Sequence, residues 1–318
     1  MKTKIIILAV ALLLSGAIIF VAVMSYYGWD FTRLGSESYE TTTYEITEDF
    51  SDISIESDTA SIVFAPSEDG TRRVVCREPK KAKHSVSADM GKLNIKINDT
   101  RQWYDRIDFN FSTPKITVYL PEAEYGKLEI KESTGDIYLP LGYTFQSISL
   151  SLSTGDVSCY STVKELLKIN TKTGDITLGD LAAGSIDLSA STGDLTLSNV
   201  TASGSIRASL STGDIKFNTV KCASFTSDGT TGDVTLKNTV VEGHISVERS
   251  TGDIILDMSD AKELTIKTST GDIRGTLLTE KQFIHSTGTG TVKLPGTSSG
   301  GICRLTTSTG DIKIQLAN

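Results

Sequence analysis

The sequence predicts an all-β fold: a parallel β-solenoid with about 19–20 residues per coil and an elaborated N-terminal cap, behind one N-terminal transmembrane helix. Three observations predict it. A Thr-Gly-Asp motif recurs at nearly constant spacing, apolar and polar residues alternate around each copy, and an uncharged apolar run lies near the N-terminus. The 318-residue chain has 27 glycines and 6 prolines, which suits many tight turns between short strands.

The motif glycines mark the corners of the predicted repeat. Successive copies are 19 or 20 residues apart, a regularity that chance does not produce. Glycine supplies the positive φ of a tight corner, and the Asp that follows can accept a hydrogen bond from a backbone N–H. We therefore interpret the motif as a structural corner. The corner glycines are Gly135, Gly155, Gly174, Gly193, Gly213, Gly232, Gly252, Gly271, Gly290 and Gly310.

Apolar residues form columns on either side of each corner. They stand two and four residues after the glycine and seven before it, as Ile176, Leu178 and Leu167 do around Gly174. Period-two alternation indicates strands with one buried and one solvated face. No unit has enough apolar residues to bury its own face, so stacked units are expected to share one core. Ten coils at about 4.8 Å each predict a rod roughly 50 Å long.

The chain divides into four predicted parts. Residues 1–30 form the membrane anchor, with its helix at about 5–24, and 31–39 form a linker. Residues 40–126 form an irregular β cap that includes a degenerate first coil, in which Ala60 and Ser61 replace the Gly and Asp of the corner. Terminal units of solenoids are usually atypical because they must cover the open core. The regular solenoid follows at 127–318.

The N-terminal apolar run is long enough to span a bilayer. Residues 5–24 carry no charge, and a spanning helix takes about 20 residues. Lys2 and Lys4 precede the run, so the positive-inside rule places the N-terminus in the cytoplasm and the solenoid outside. A cleaved signal peptide is the alternative, although its apolar region is expected to be about 7–15 residues long. We expect a single-pass membrane protein with an uncleaved anchor.

The repeat resembles a bacterial family of unknown function commonly labelled "putative adhesin". The resemblance rests on units of the form L-x-I-x-S-x-T-G-D-I-x-L, as in LKINTKTGDITL at 167–178, and covers about residues 40–318. It implies a right-handed β-helix-like fold in a membrane-anchored, extracytoplasmic setting. Some members of the family are connected with cell-envelope stress systems, so the resemblance also implies a sensing role as an alternative.

Composition argues against several classes of function and site. The formal net charge of −8 argues against binding nucleic acid through a basic surface. The four cysteines lie far apart without CxxC spacing, so we expect neither a structural zinc site nor a dense disulfide framework. Free buried thiols are expected, with one disulfide as the alternative. We expect no cofactor. The cysteines are Cys76, Cys159, Cys222 and Cys303.

The aspartates of the motif are expected to stack in a column, which raises the question whether they bind a metal ion. Stacked carboxylates about 5 Å apart repel by on the order of 1 kcal/mol per pair in a water-like dielectric. Basic residues two positions beyond the Asp can offset this, at Lys216, Arg274, Lys293 and Lys313. A calcium ladder is the alternative, although known calcium β-rolls use a different nonapeptide. The candidate calcium ligands are Asp194, Asp214 and Asp233.

Two places that interrupt the repeat are candidates for binding a partner. The segment RQWYDRIDFNF at 101–111 offers Trp103, Tyr104 and Arg106, residue types enriched at binding hot spots, with packing in the cap as the alternative. The C-terminal segment TSTGDIKIQLAN stops in mid-coil. Its strand is expected to leave an uncovered edge, available for end-to-end self-association.

The predicted function is non-enzymatic. The aspartates repeat identically, whereas an active site needs one exceptional place with carboxylates in different environments. We therefore expect a membrane-anchored extracytoplasmic module that acts in adhesion, in scaffolding, or in presenting a surface to an envelope protein or a glycan. A regulatory or sensing component of an envelope stress response is the first alternative. A polysaccharide-acting β-helix enzyme is the second.

Overall fold

The computed structural model describes residues 2–26, 28–29, 39–102 and 113–317. In these residues one helix, α1, spans Lys2–Tyr26, and the other regular elements are strands. The segment Ala9–Tyr26 has a mean hydropathy of 2.3 and only 6% of it is buried. By length and composition α1 can cross a membrane, so it is a candidate membrane anchor or signal sequence.

The described residues contain 26 strands, numbered along the chain. The seven strands before the regular array are β1 Tyr39–Glu45, β2 Asp52–Glu56, β3 Ser61–Pro66, β4 Arg73–Pro79, β5 Ala82–Asp89, β6 Lys92–Asp99 and β7 Lys115–Leu120. The array begins with β8 Glu124–Thr134, β9 Ile137–Leu139, β10 Thr144–Thr154, β11 Val157–Cys159, β12 Thr162–Thr173, β13 Ile176–Gly179, β14 Ala182–Thr192 and β15 Leu195–Ala202.

The remaining strands carry the array to its end. They are β16 Ser205–Thr212, β17 Ile215–Cys222, β18 Ser224–Thr231, β19 Val234–Lys237, β20 Val240–Thr251, β21 Ile254–Thr270, β22 Ile273–Leu277, β23 Lys281–Thr289, β24 Val292–Lys293, β25 Gly301–Thr309 and β26 Ile312–Leu316. The long β21 belongs to two coils, because its first residues follow one corner and its last residues lead to the next.

Each coil of the array consists of a strand that ends at the motif Thr, a Gly-Asp corner and a second strand. Strands of neighbouring coils pair in parallel with equivalent positions opposite each other, as Leu167 with Ile186 and Ile176 with Leu195. This register stacks the apolar columns into one continuous buried core. The predicted all-β parallel solenoid is therefore confirmed.

Glycine at the corner is required by both backbone conformation and packing. Gly213 has φ +134°, and a Cβ built there would lie 2.0 Å from the carbonyl oxygen of Gly193 in the neighbouring coil. The obstacle is backbone, which cannot move aside without breaking the ladder that joins the coils. The corner therefore sets how closely two coils can approach.

At the N-terminal end, the order of coils in space differs from their order in the sequence. The β2–β3 coil lies between the β6–β7 coil and the β8–β9 coil. Its register places Ile53 opposite Leu128 and Ile62 opposite Ile137, so Ala60-Ser61 takes the place of a Gly-Asp corner. Antiparallel strands complete this end, with β5 paired to β6 and β4 paired to β7 and β1.

The C-terminal end shows the same kind of insertion. Strand β25 pairs with β21 on one side and β23 on the other, and β26 pairs with both β22 and β24. The prediction that the C-terminal strand presents an uncovered edge is therefore wrong. The physical reason is burial: Cys303, Leu305 and Ile312 can fill an interior coil, whereas Phe283 and Val292 of the β23–β24 coil stay partly exposed at the end.

We expect engineered disulfides to report this coil order. Arg274 pairs with Lys313, so these Cα atoms are about 4.8 Å apart. Arg274 and Lys293 lie two coils apart, at roughly 10 Å, beyond the limit of about 7 Å for a disulfide. Arg274→Cys/Lys313→Cys should therefore oxidise to an intramolecular disulfide, while Arg274→Cys/Lys293→Cys should not, as read by mobility on non-reducing gels. The opposite pattern would mean that the coils stack in sequence order.

Alanine at a corner should destabilise the solenoid strongly. Gly213→Ala combines an unfavourable φ with overlap against Gly193, and we expect a loss of about 3 kcal/mol in the free energy of unfolding. Gly296→Ala is the matched control, because a Cβ there meets no atom within 4 Å. Urea unfolding of the full chain in detergent measures both. Equal stability of the two variants would contradict the packing argument.

Candidate functional site

The aspartates of the corner form a hydrogen-bonded ladder along the solenoid. From Asp136 to Asp272, Oδ1 of each aspartate accepts the backbone N–H of the Asp in the next coil at 2.7–3.0 Å. The ladder continues in spatial order, from Asp272 to Asp311 and then to Thr291, each at 2.8 Å. Thr291 ends the ladder, and no further coil in the described residues requires an acceptor there. This explains why Thr replaces Asp in that copy.

Basic side chains occupy the outer oxygens of several ladder carboxylates. Lys216 Nζ lies 3.3 Å from Asp194 Oδ2 and 3.2 Å from Asp214 Oδ2. Lys313 Nζ lies 2.6 Å from Asp311 Oδ2. The Lys313 ammonium first, and the Thr291 N–H second, lower the pKa of Asp311 to about 2. Arg274 likewise lies 3.1 Å from Asp253. Basic side chains thus neutralise part of the negative charge of the aspartate column.

The candidate calcium ligands lie in this ladder. Asp194 and Asp214 share Lys216, and Asp233 Oδ1 accepts the backbone N–H of Asp253 at 2.8 Å. These oxygens have protein donors that a bound calcium ion would have to displace. We propose that the column is a structural corner.

A buried polar cluster lies in the N-terminal coils, and sequence analysis did not identify it. Strand β4 carries Cys76 and Glu78 two residues apart, hence on one face. The chain then turns at residues 80–81 into β5, which carries His84. Strand β4 pairs with β7 and β5 pairs with β6, so the turn joins the two sides of the outermost coil. All three side chains are at most 3% exposed.

The contacts of His84 organise the cluster. Nδ1 lies 2.6 Å from Glu78 Oε2, and the backbone N–H of His84 donates to the same oxygen at 2.9 Å. Nε2 lies 3.0 Å from Ser57 Oγ, and the Tyr44 hydroxyl donates to the His84 carbonyl at 2.9 Å. Both nitrogens of the ring therefore have a polar neighbour, and the ring orientation is set.

Cys76 and the second oxygen of Glu78 complete the cluster. One ligand atom each from Cys76, Glu78 and His84 lies within 4.8 Å of the other two. Glu78 Oε1 is buried and has no hydrogen-bond partner. Burial first, and the charge of Glu78 second, raise the pKa of the Cys76 thiol to about 12. The cluster thus combines sulfur, nitrogen and oxygen donors at one buried point.

Ser57, His84 and Glu78 also lie in the order of a Ser–His–acid triad. Two features oppose hydrolysis there. Ser57 is 7% exposed, and its hydroxyl contacts the buried carboxyl group of Glu132. A carboxylate beside the nucleophile would repel an oxyanion, which needs N–H or O–H donors instead. The arrangement favours a buried polar network over a hydrolase.

Glu132 links this network to the surface. It lines a groove of about 330 Å³ together with Ser57, Lys131 and Leu152. Burial raises the pKa of Glu132 to about 7, against the lowering effect of the Ser57 hydroxyl and nearby backbone N–H groups, including that of Thr134. Its Oε2 is buried without a hydrogen-bond partner. Glu132 is therefore a carboxyl group that titrates near neutral pH.

A larger groove, of about 660 Å³, lies near the opposite end of the solenoid. Val240 and Leu278 line it and are about two-fifths exposed, at 41% and 39%. Lys281 and Asp260 also line it and form a buried ion pair with Nζ and Oδ1 2.7 Å apart. Thr279 Oγ1 donates to Asp260 Oδ2 at 2.7 Å. The groove thus combines partly exposed apolar residues with a buried, internally paired charge.

Comparison with known families decides what kind of protein carries these features. The sequence profile of the family described as Toastrack DUF4097 matches residues 50–209 and 204–318, most of the chain. The chain belongs to the Toastrack DUF4097 family. The resemblance seen in the repeats is confirmed. None of the curated proteins searched matches this Toastrack chain.

Several solved structures are similar to the Toastrack chain. A "putative adhesin" from Bacteroides fragilis is 16% identical with a TM-score of 0.44, covering 88% of this chain and 99% of that one. A "putative adhesin" and a "putative lipid binding protein" from Parabacteroides distasonis are 11% and 14% identical. Each of these two has a TM-score of 0.43 and covers 88% of this chain and 98% of its own.

The structure locates most residues singled out in the sequence of the Toastrack chain. The ten corner glycines have φ between +129° and +155°. Trp103, Tyr104 and Arg106 lie outside the described residues. All four cysteines are free and buried, which confirms that expectation. The missed residues are Cys76, Glu78, His84 and Glu132. A signal for the first three existed in the sequence, because Cys76 and Glu78 stand at alternate positions and His84 follows only six residues later.

Substitutions of Asp194 should separate hydrogen bonding from charge. Asp194→Ala removes the acceptor of the Asp214 N–H, and we expect a loss of about 1–2 kcal/mol in the free energy of unfolding. Asp194→Asn keeps an oxygen acceptor and should stay close to wild type. Thermal unfolding with and without calcium, alongside calorimetry, measures both effects. If calcium stabilises wild type and Asp194→Asn abolishes that effect, the calcium-ladder hypothesis is supported instead.

Glu132 should make stability depend on pH in an unusual direction. Its pKa rises from an ordinary value of 4.5 to about 7 on folding, because burial disfavours the charged form. The folded state therefore holds this proton more tightly, and stability falls as pH rises from 4.5 to 7. Above that range the cost is about 3 kcal/mol. Glu132→Gln should gain stability relative to wild type between pH 5 and pH 8 in denaturant unfolding. If the free energies of unfolding of Glu132→Gln and wild type differ by the same amount throughout this pH range, the raised pKa of Glu132 is wrong.

Proposed function

We propose that this Toastrack protein is a non-enzymatic, membrane-anchored module that presents its solenoid outside the membrane to a partner in the cell envelope. The role is adhesion-like or scaffolding. The observation that carries the proposal is the open edge of the β23–β24 coil, at the end of the stack opposite the N-terminal coils.

The β23–β24 coil is unlike the coil at the other end. In the described residues β23 pairs with β25 alone and β24 with β26 alone, so each leaves one backbone edge unpaired. Ile284 is 48% exposed, and Phe283 and Val292 are partly buried against the core. Antiparallel strands cover the N-terminal coils instead. An unpaired edge beside apolar side chains is a surface to which another strand can add.

The larger groove extends this surface. It is lined by residues at the start of β23 and by the preceding coils, with Val240 and Leu278 exposed beside it. An extended peptide that pairs with β23 would meet this groove at the start of the strand, beside Lys281, because Val240 lies three coils further into the stack. The buried Lys281–Asp260 pair satisfies its own charges, so it does not require a charged ligand. The chemistry favours an apolar, extended segment of a protein.

Two further observations support a non-enzymatic role outside the cytoplasm. The ladder aspartates have the same backbone contact in coil after coil, so the ladder offers no acid–base pair of differing environment. Lys2 and Lys4 lie in the first turn of α1, ahead of its apolar run, which favours a cytoplasmic N-terminus. The solenoid would then lie outside, where an envelope partner can reach its open end.

A photo-crosslinking amino acid at position 284 tests the proposal in intact cells. The control position is 166, because Leu166 is similarly exposed, at 40%, but lies within the stack. We expect a discrete crosslinked product from position 284 and none from position 166. Mass spectrometry then identifies the occupant as an envelope protein or a second copy of this chain. Identical products at both positions, or none at position 284, would refute binding at this end.

A further inference from the structure

We propose that Cys76, Glu78 and His84 form a binding site for one zinc ion. The three residues bring a sulfur, an oxygen and a nitrogen ligand within 4.8 Å of one another, and each side chain is at most 3% exposed. Zn²⁺ is bound in proteins by these three donor types, at about 2.0–2.3 Å. The proposal is independent of the partner that binds at the other end of the solenoid.

The unsatisfied oxygen of Glu78 is the second observation that points to an ion. Oε2 accepts the His84 backbone N–H, but Oε1 is buried and lacks a hydrogen-bond partner. A buried polar atom without a partner is costly, and native structures rarely leave one. A cation bound by Oε1 removes this cost while Oε2 keeps its backbone contact. Glu78 therefore has one oxygen for the fold and one for the ion.

The contact between His84 and Ser57 suits a metal-binding histidine. Such a histidine usually donates its other ring N–H to an oxygen, which fixes the tautomer. Here Nδ1 faces Glu78 and Nε2 faces Ser57 Oγ at 3.0 Å. Zinc on Nδ1 would replace the 2.6 Å contact of this nitrogen with Glu78 Oε2, and the single ring proton would then reside on Nε2 and be donated to Ser57. The Cys76 thiol loses its proton to solvent as zinc binds.

The position of the cluster indicates a structural ion. Cys76 and Glu78 lie on β4 and His84 on β5, so zinc would bridge strands from the two sides of the outermost coil. Ser57, which follows β2, connects the site to the next coil. Zinc would thus fasten the turn that closes the N-terminal end of the core. Burial requires that the ion enters before this turn closes or during local opening.

Cobalt substitution tests the proposal on the wild-type chain. The full chain is purified in detergent from cells grown in zinc-depleted medium with added Co²⁺, so no exchange step is needed. We expect about one cobalt per chain and a sulfur-to-cobalt charge-transfer band in the near ultraviolet. Wild-type protein from cobalt medium that lacks this band and holds no cobalt or zinc by elemental analysis would overturn the proposal, whatever the variants do.

Matched variants assign the ligands. Cys76→Ala and His84→Asn should lose stoichiometric zinc, whereas Cys222→Ala, which removes another buried thiol, should retain it. Ser57→Ala keeps all three ligands and should weaken zinc binding by about tenfold. Far-ultraviolet circular dichroism separates loss of metal from loss of fold. Zinc content that is equal in wild type, Cys76→Ala and Cys222→Ala would overturn the assignment.

Discussion

The close backbone contact between Thr-Gly-Asp corners is the constraint on which the solenoid depends. Each corner approaches the previous one so closely that a single Cβ would overlap a carbonyl oxygen. The same approach brings the N–H of one Asp onto the carboxylate of its neighbour. The hydrogen bond offsets part of the repulsion between stacked carboxylates, which otherwise would make a column of ionised aspartates unfavourable. One geometry thus sets the coil spacing and accounts for the Gly-Asp pair that recurs along the chain.

Much of the fold could be predicted because short sequence segments specify each repeat. Glycine spacing and period-two apolar columns specify strands, corners and a shared core without knowledge of distant contacts. The order of the terminal coils could not be predicted this way. Any coil with the right register can pair with any other in a parallel ladder. The repeat pattern of the sequence therefore allows β25 to pair on both sides, with β21 and β23, or on one side only, with β23. Burial decides: the more apolar coil containing Cys303 and Ile312 takes the interior position.

The buried cluster escaped prediction for a related reason. Metal and catalytic motifs are recognised by spacing along the chain, whereas Cys76, Glu78 and His84 meet because a turn connects strands on two sides of a coil. Ser57 and Glu132 join from separate coils, and their proximity follows from stacking order. The corner contacts recur along the array, whereas this polar network belongs to one end of it. One end is covered by antiparallel strands and holds a polar network, while the other leaves an edge and a groove open.

The inserted coils have a consequence for how the protein is made. A chain that emerges from its N-terminus can add each regular coil to the one before it as soon as that coil is synthesised. The β23–β24 coil cannot follow this rule, because the strands it pairs with, β25 and β26, are synthesised later. Until then its apolar residues have no final partner. The β23–β24 coil can therefore take its final place in the stack only after the chain has been made as far as β26, which ends at Leu316.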